Sequence, residues 1–374
     1  MCILFSVKRT IAIKLTLSEI ERQAFERLEV QFSAACNYIG QIAFQAKEKN
    51  RVKLHHLAYY AVRKKFPELG AQMACNAIAK TAQALRALKE PKELLFKKGG
   101  SVHFDKRTYS LKGQSLSLFT LEKRLRLQLD ISTFHQSFLE QGKAREAELV
   151  RKGKRWFFHL VLDLPDPPLV PSDRKIGVDF GESVLAALST GKLLGGGPLR
   201  AKRDQFLAHR QRLQSKGTQA AKQRLRKISG REERVVRHTN HCVAKQIVSE
   251  AREKGCGAIV LEDLKNIRTR IKAKKRERSR LHRWAFDQLR IFVEYKAAGS
   301  GIQTLYVCPA YTSKTCSHCL SLGSRTKHRF FCSHCGSLQH SDLNASRNLL
   351  RLGESADPST GDVNRRHIAA LSRR

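Results

Sequence analysis

The chain has 374 residues, which is enough for two or three domains, and its 41% hydrophobic content excludes a wholly disordered polypeptide. Seventy-one Lys and Arg against 33 Asp and Glu give a net charge of +38. A surface this one-sided repels itself unless a polyanion neutralises it, so the charge favours a nucleic-acid partner over a merely basic protein. No run of 18 apolar residues occurs, and we expect no membrane span and a cytoplasmic, nucleoid-associated location.

The first half predicts helices set between strands. A strand pattern ends near Leu17, and Ser18 with Glu21 has the spacing of a capping box. Apolar residues at helical intervals predict a helix from there, with two more at about His55–Phe66 and Ala71–Lys89. Later segments alternate with a period near two and predict strands, whose sheet the first strand could join. The helices would then be an insertion in a small β domain.

The segment from Leu164 to Asp173 holds four of the nine prolines and predicts a domain boundary. After it come a buried strand ending in Asp179, a hairpin, and two long basic helices at about Arg200–Lys227 and Arg231–Lys254. A buried strand ending in Glu262, a helix, a further strand and a helix headed by Asp342 complete the pattern. This is the element order of an RNase H-like fold.

Three carboxylates stand at the ends of these elements. Asp179 and Glu262 each end an apolar strand, and Asp342 opens a helix. Acidic residues at the carboxyl edge of a parallel sheet would repel one another, and Mg²⁺ or Mn²⁺ relieves such repulsion. Two such ions can activate a water and stabilise a leaving oxygen in phosphodiester cleavage.

Two alternatives stay open at this point. An aspartate after a strand is often only a turn former or a helix cap. Asp263 also follows Glu262 directly, and successive side chains on a strand face opposite ways, so only one of the pair can point at a metal. Register alone does not say which one does.

Four of the ten cysteines form two Cys-x-x-Cys knuckles separated by 12 residues, namely Cys316, Cys319, Cys332 and Cys335. This spacing predicts a closed tetrahedral Zn²⁺ site with a structural role, because four thiolates leave no open position for water. The ribbon is too small for a core of its own, so zinc would supply its folding free energy. The remaining six are expected to be buried thiols: Cys2, Cys36, Cys75, Cys242, Cys256 and Cys308.

Two basic segments flank the predicted metal sites. Residues 264–283 contain ten Lys or Arg and one Glu, and we expect them, with Lys274, Lys275 and Arg276, to guide a nucleic-acid strand. Arg325 and Arg329 lie between the two knuckles and could steady a scissile phosphate. A solvated basic loop is the alternative for both segments.

The motifs "GVDFG", "IVLEDL", "YTSKTCSHC" and "DLNASRNLL", in this order, resemble the RuvC-type nuclease of the TnpB (OrfB) family. These proteins are encoded by insertion sequences and are related to type V CRISPR effector nucleases. The match covers about residues 175–352, and the first half resembles the family only in layout. The resemblance implies that Asp179, Glu262 and Asp342 are the catalytic carboxylates, and it favours Glu262 over Asp263 by analogy alone.

The resemblance also implies a multidomain α/β architecture and a set of partners. The implied domains are a β-barrel-like wedge domain (1–17 and 97–165), a helical recognition lobe (18–96), a linker (166–174), an RNase H-like RuvC nuclease domain (175–307 and 341–374) and an inserted zinc ribbon (308–340). The implied partners are a non-coding guide RNA from the same mobile element and double-stranded DNA with a short flanking motif, bound by a monomeric protein. The implied cofactors are two catalytic Mg²⁺ (or Mn²⁺) ions and one structural Zn²⁺.

Two other functions remain in competition with an RNA-guided endonuclease. The first is a non-cleaving, RNA-guided DNA-binding protein, which would be signalled by loss of a carboxylate. The second is a protein-guided nuclease of the transposase or resolvase type, whose activity would survive removal of RNA.

Overall fold

The structure is a computed structural model that describes residues 7–88, 93–263, 286–308 and 311–355. The chain divides into two compact units, Met1–Pro165 and Asp166–Arg374, and the division falls inside the proline-rich segment. Within the described ranges, no helix is both long enough and apolar enough to cross a membrane. The mixed α/β, multidomain architecture expected from the sequence is confirmed.

The strands described in the first unit form two antiparallel sheets. The larger has the order β1-β7-β6-β2, and the smaller has the order β3-β4-β5. Their bounds are β1 (Val7–Leu15), β2 (Val102–Phe104), β3 (Tyr109–Lys112), β4 (Ser115–Leu118), β5 (Leu125–Gln128), β6 (Lys143–Lys152) and β7 (Arg155–Leu164). Because β1 pairs with β7 along its whole length, the helices that follow β1 are inserted between strands of one sheet.

The first unit's helices pack with its sheets around one apolar core. They are α1 (Glu19–Gln45), α2 (Arg51–Lys65), a short 3-10 helix (Pro67–Leu69), α3 (Gly70–Ala87) and α4 (Thr133–Gln141). The predicted capping box is present, since Ser18 Oγ accepts from Glu21 N and Glu21 Oε2 accepts from Ser18 N. Helix α4 was not predicted, because nine residues carry barely two turns of periodicity.

The second unit is built on a five-stranded mixed sheet with the order β10-β9-β8-β11-β12. Its strands are β8 (Lys175–Asp179), β9 (Val184–Leu188), β10 (Leu193–Gly195), β11 (Ala258–Glu262) and β12 (Gln303–Val307). Strand β11 pairs in parallel with both β8 and β12, whereas β9 and β10 form an antiparallel hairpin. The carboxyl ends of β8 and β11 therefore lie side by side at one edge of the sheet.

The helices described in this unit are α5 (Gly197–Lys216), α6 (Gln219–Glu253), α7 (Phe286–Ala298) and α8 (Ser341–Glu354). The break between the two long basic helices was predicted near residues 228–230 and lies instead at Gly217–Thr218. Gly217 has a φ of 63°, a conformation that favours glycine, and Thr218 Oγ1 then caps α6 by accepting from Ala221 N. Gly230 is accommodated inside α6.

Helices cover both faces of this sheet. The side chains of Ile176, Val178, Ile259 and Leu261 join one core with α6 and α7. The residues between them on the strands face the other way, where Val260 packs with Leu349 of α8. Gly177 lets α8 approach closely, because a Cβ there would lie 2.1 Å from the Ser346 carbonyl oxygen and 2.6 Å from Leu350 N.

Between β12 and α8 lies a small antiparallel sheet that we call the ribbon sheet. It consists of β13 (Ser324–Thr326), β14 (Arg329–Phe331) and β15 (Leu338–His340), and β15 leads directly into α8. Phe330 and the cysteines Cys316 and Cys332 form its small buried core.

We predict that Gly177→Ala destabilises the second unit by about 1–3 kcal/mol or more, because backbone atoms of α8 cannot yield as a flexible side chain would. Gly195→Ala is the matched control, since a Cβ there meets nothing within 4 Å. Urea unfolding of both variants measures the difference. Equal stability of the two variants would contradict the close approach.

Candidate functional site

Strand alternation brings Asp179 and Glu262 to one face of the sheet. Gly177 faces α8, so Asp179, two residues on, faces the same way. Val260 likewise packs against α8, and Glu262 follows two residues later. Because Val178 pairs with Leu261, the register continued by one residue sets Asp179 beside Glu262 on strands about 4.8 Å apart.

The same parity separates Asp263 from Glu262. Asp263 is the next residue along the chain and faces away from α8, while its backbone N–H donates to the Val307 carbonyl. Strand alternation therefore sets Glu262, and not Asp263, on the face of the sheet that α8 covers.

Asp342 lies in the first turn of α8, the helix that covers this face. Its side chain is 7% exposed and accepts a hydrogen bond from the Arg325 guanidinium at 2.9 Å. The Ser341 hydroxyl donates to the same oxygen, Oδ1, at 3.2 Å. The helix is capped by His340, whose Nδ1 accepts from Asp342 N at 3.3 Å. The capping residue and the carboxylate are therefore only two residues apart, where the ribbon sheet passes into α8.

The three acids interact electrostatically. Burial raises the pKa of Asp179 well above its usual range, and the negative charges of Glu262 and Asp342 raise it further. Burial also raises the pKa of Glu262 to about 7, opposed by a hydrogen bond from Thr312 and by the charge of Arg325. The positive charge of Arg325 also lowers the pKa of Asp179. Among the described residues, the Arg325 guanidinium acts on all three carboxylates, and the surplus of carboxylates over this cation fits hard divalent cations.

Two asparagines of α8 donate hydrogen bonds to the backbone of the segment that leads into the ribbon. Asn348 Nδ2 donates to the Thr312 and Thr315 carbonyls at 2.8 and 2.7 Å, and Asn344 Nδ2 donates to Thr315 at 2.7 Å. The Thr312 hydroxyl in turn donates to Glu262 Oε1 at 3.1 Å. Sequence reasoning missed these three polar residues, although the four-residue spacing of Asn344 and Asn348 places both on one helix face.

The four knuckle cysteines converge. All four Sγ atoms lie within 4.8 Å of one another, with Cys316–Cys335 at 3.7 Å and Cys319–Cys332 at 3.5 Å. Four ligands at ~2.3 Å from a tetrahedral Zn²⁺ are about 3.8 Å apart, so the cluster fits this ion with little movement. The two knuckles have equivalent backbone hydrogen bonds, because Cys316 N donates to Ser321 O and Cys332 N donates to Ser337 O.

The six other cysteines were expected to be buried, and this holds only for some of those described. Cys36 and Cys256 are buried, whereas Cys75 and Cys308 are half-buried and Cys242 is exposed. Cys242 lies on α6 beside His238, with Sγ 3.7 Å from Nε2, on a face that the core does not cover. Cys2 lies outside the described residues.

The predicted nucleic-acid contacts separate into three groups. Arg325 on β13 belongs to the carboxylate cluster itself. Arg329 on β14 has an exposed side chain. Lys274, Lys275 and Arg276, with the rest of the basic run 264–283, lie outside the described residues.

The fold and the site together define a class of protein. It is a mixed α/β chain that has acidic residues at the carboxyl edge of its sheet and a four-cysteine ribbon inserted before α8. The family model described as "Probable transposase" (OrfB_IS605) matches residues 159–268. A second model, described as "Cas12f1-like, TNB domain", matches residues 286–349, which include the ribbon.

Curated relatives agree with these matches. A TnpB-like protein of Methanocaldococcus jannaschii is 37% identical over 129 residues, which are 34% of this chain and 46% of that protein. The CRISPR-associated endodeoxyribonuclease Cas12f1 of Sulfoacidibacillus thermotolerans is 29% identical over 219 residues, covering 53% of this chain and 50% of that protein. The chain thus spans about half the length of these curated relatives.

Among solved structures, a Cas12f1–sgRNA–target DNA complex aligns with a TM-score of 0.61 at 16% sequence identity, over 90% of this chain and 83% of that one. This likeness concerns the fold. The resemblance to the TnpB (OrfB) family inferred from the motifs, and its relation to CRISPR Cas12f proteins, is confirmed.

We predict that Glu262→Gln raises the free energy of unfolding at pH 8, in the absence of added divalent ions, by on the order of 1–2 kcal/mol. The pKa of Glu262 in the folded protein is about 7, above its ordinary value of 4.5. The contribution of this carboxyl group to the free energy of unfolding is therefore complete below pH 4.5 and is lost as the pH rises through 7. The free energies of unfolding of the wild type and the variant are measured by urea unfolding at pH 5 and pH 8, in buffer treated with a chelating resin.

The control for that experiment is Glu233→Gln, an exposed glutamate of α6 that pairs with Arg237. It should leave the pH dependence of the wild type unchanged. A Glu262→Gln variant that is less stable than the wild type at pH 8 would show that burial of the ionised carboxylate does not destabilise the folded protein.

We predict that, after dialysis against zinc-free buffer, Cys332→Ser lowers tightly bound zinc from one ion per chain to nearly none and removes amide-exchange protection from the ribbon sheet, because zinc on the four cysteines would supply its folding free energy. Cys308→Ser, outside the cluster, should retain the ion. Inductively coupled plasma mass spectrometry gives the zinc content. Zinc that stays stoichiometric in Cys332→Ser would contradict the four-cysteine site.

Proposed function

We propose that the chain is an RNA-guided DNA endonuclease of the TnpB type that hydrolyses DNA phosphodiester bonds beside a short flanking motif. The observation that carries the proposal is the convergence of Asp179, Glu262 and Asp342 on the face of the sheet that α8 covers. The curated relatives support it, because several are named RNA-guided or CRISPR-associated endonucleases.

The proposed nuclease domain is of the RNase H-like, RuvC type. Its support is the strand order β10-β9-β8-β11-β12, with an antiparallel hairpin beside three parallel strands and acids at their carboxyl edge. We further propose that the sheets of the first unit belong to a wedge domain (1–17 and 97–165) and that helices α1, α2 and α3 belong to the recognition lobe (18–96).

In the proposed site, Asp179, Glu262 and Asp342 would hold two Mg²⁺ or Mn²⁺ ions. Such ions activate the attacking water and stabilise the leaving oxygen when they are bound. The chain's own residues set the geometry. Thr312 orients Glu262 through the bond to Oε1, and Asn344 and Asn348 of α8 hold the carbonyls of Thr312 and Thr315.

Arg325 has a second use in this site. Its guanidinium forms a charge-assisted hydrogen bond with Asp342 Oδ1 and reaches the cluster from the ribbon sheet. When cations neutralise Asp342, the guanidinium can turn to an oxygen of the scissile phosphate, whose negative charge grows in the transition state. Arg329, exposed on the next strand, would contact the backbone of the same DNA strand.

The proposed partners are a non-coding guide RNA and a double-stranded DNA target. Base pairing would select the sequence, while the protein, with its net charge of +38, would bind backbone and shape. The experiment that tests this is to sequence the RNA that co-purifies with the full chain. The complex is then offered matching targets with randomised flanking bases and Mg²⁺, where one homogeneous RNA and cutting beside one motif are expected.

We predict that Asp179→Asn lowers the cleavage rate by about 10³-fold or more, because each metal-bound carboxylate holds ions that supply several kcal/mol to the transition state. Asp263→Asn is the matched control, since it changes a neighbouring acid that faces away from α8, and it should cleave at nearly the wild-type rate. Single-turnover cleavage with the co-purified RNA measures both variants.

Three outcomes would overturn the proposal. Binding of matched DNA without cleavage, unchanged by Asp179→Asn, would favour a non-cleaving RNA-guided protein. Cleavage that survives RNase treatment during purification would favour a protein-guided nuclease of the transposase or resolvase type. A complex that never cuts any flanking motif would exclude the endonuclease.

A further inference from the structure

The end of the ribbon sheet brings two histidines that the proposed nuclease does not use close to Asp342, which it does use. Donor atoms of His328, His340 and Asp342 all lie within 4.8 Å of one another. The two imidazole rings are nearly parallel, with centroids 5.4 Å apart and an interplanar angle of 21°. We propose that these three residues form a second metal site, which takes a borderline divalent transition metal such as Zn²⁺.

The two oxygens of Asp342 face different partners. Oδ1 accepts from Arg325 at 2.9 Å, whereas Oδ2 lies 3.8 Å from His328 Nδ1. Two donors bound to one tetrahedral Zn²⁺ through bonds of about 2.0–2.1 Å are some 3.4 Å apart, so this pair needs to close by less than about 1 Å. A metal on Oδ2 leaves the ion pair on Oδ1 in place.

The backbone holds the two histidines in register. Arg329 pairs with His340 across β14 and β15, and Ser341 N donates to the His328 carbonyl at 2.9 Å. His340 Nδ1 already accepts a long hydrogen bond of 3.3 Å from Asp342 N, and a metal at this nitrogen replaces that weak donor. The ligands therefore come from a paired hairpin and not from free loops.

The donor set selects the metal class. Imidazole favours Zn²⁺, Ni²⁺ or Cu²⁺, whereas Mg²⁺ prefers all-oxygen ligands, so this site and the hard carboxylate cluster discriminate between ions. His328 is 49% exposed, which leaves a route for the ion and a water as fourth ligand. Because both sites share Asp342, a transition metal held here competes with the catalytic ions; this consequence, unlike the binding itself, rests on the proposed function.

The test is a Zn²⁺ titration of the full chain, already carrying its ribbon zinc, by isothermal titration calorimetry. We expect one further Zn²⁺ per chain in the wild type. His328→Ala and His340→Asn should each lower the affinity for this further Zn²⁺ by more than about tenfold. Even the loss of a residue that only hydrogen-bonds to a metal ligand lowers metal affinity about 10–100-fold. Asparagine at 340 keeps a capping oxygen for α8, so that variant separates ligation from helix stability.

The matched control is His334→Ala, an exposed histidine of the same ribbon that lies inside the second knuckle. It should bind the further Zn²⁺ like the wild type, and all variants should retain ribbon zinc and the wild-type unfolding temperature. The proposal is overturned if no further ion binds, if both variants bind it unchanged, or if His334→Ala weakens it equally.

A second readout separates the site from the proposed activity. If the complex cleaves DNA with Mg²⁺, added Zn²⁺ should inhibit the wild type, and inhibition should require at least about tenfold more Zn²⁺ in His328→Ala. If the chain binds Zn²⁺ at His328 but never cleaves DNA, the proposed endonuclease activity is wrong and the proposed metal site is still supported.

Discussion

Repulsion among three carboxylates is the constraint on which the second unit depends. Asp179 and Glu262 end adjacent parallel strands, Asp342 begins the helix that covers them, and Arg325 is the cation that the structure brings to Asp342. An arrangement that raises the pKa of Glu262 to about 7 costs folding free energy at neutral pH. Proteins keep such costs where they serve binding or catalysis, and here cations would remove the cost.

Packing and metal binding are coupled through α8. The absence of a side chain at Gly177 lets the helix lie on the sheet, and Asn344 and Asn348 fasten it to the segment that enters the ribbon. The ribbon sheet, which Zn²⁺ on the four cysteines would stabilise, carries the Arg325 side chain that bonds to Asp342. A zinc ion at the four cysteines would thus act on the carboxylates only indirectly, through strand β13, and would have no open position for chemistry.

The sequence predicted the parts with strong local signals. The capping box at Ser18, the spacing of the knuckles and the apolar strands before Asp179 and Glu262 each carry enough information in a few residues. It could not choose between Glu262 and Asp263, because that choice depends on which face of the sheet a helix 80 residues later covers. The break at Gly217 was missed because Gly230 lay nearer the middle of the basic stretch, and glycine is tolerated inside a helix as long as α6. Thr312 gains its role only from tertiary contact with Glu262.

The most direct measurement is a crystal structure of the chain soaked in Mn²⁺, with anomalous scattering used to locate the ion. We expect two peaks among the oxygens of Asp179, Glu262 and Asp342, with Arg325 turned away from Asp342 Oδ1. Well-ordered carboxylates with no anomalous peak between them, and the Arg325–Asp342 ion pair intact at saturating Mn²⁺, would contradict it.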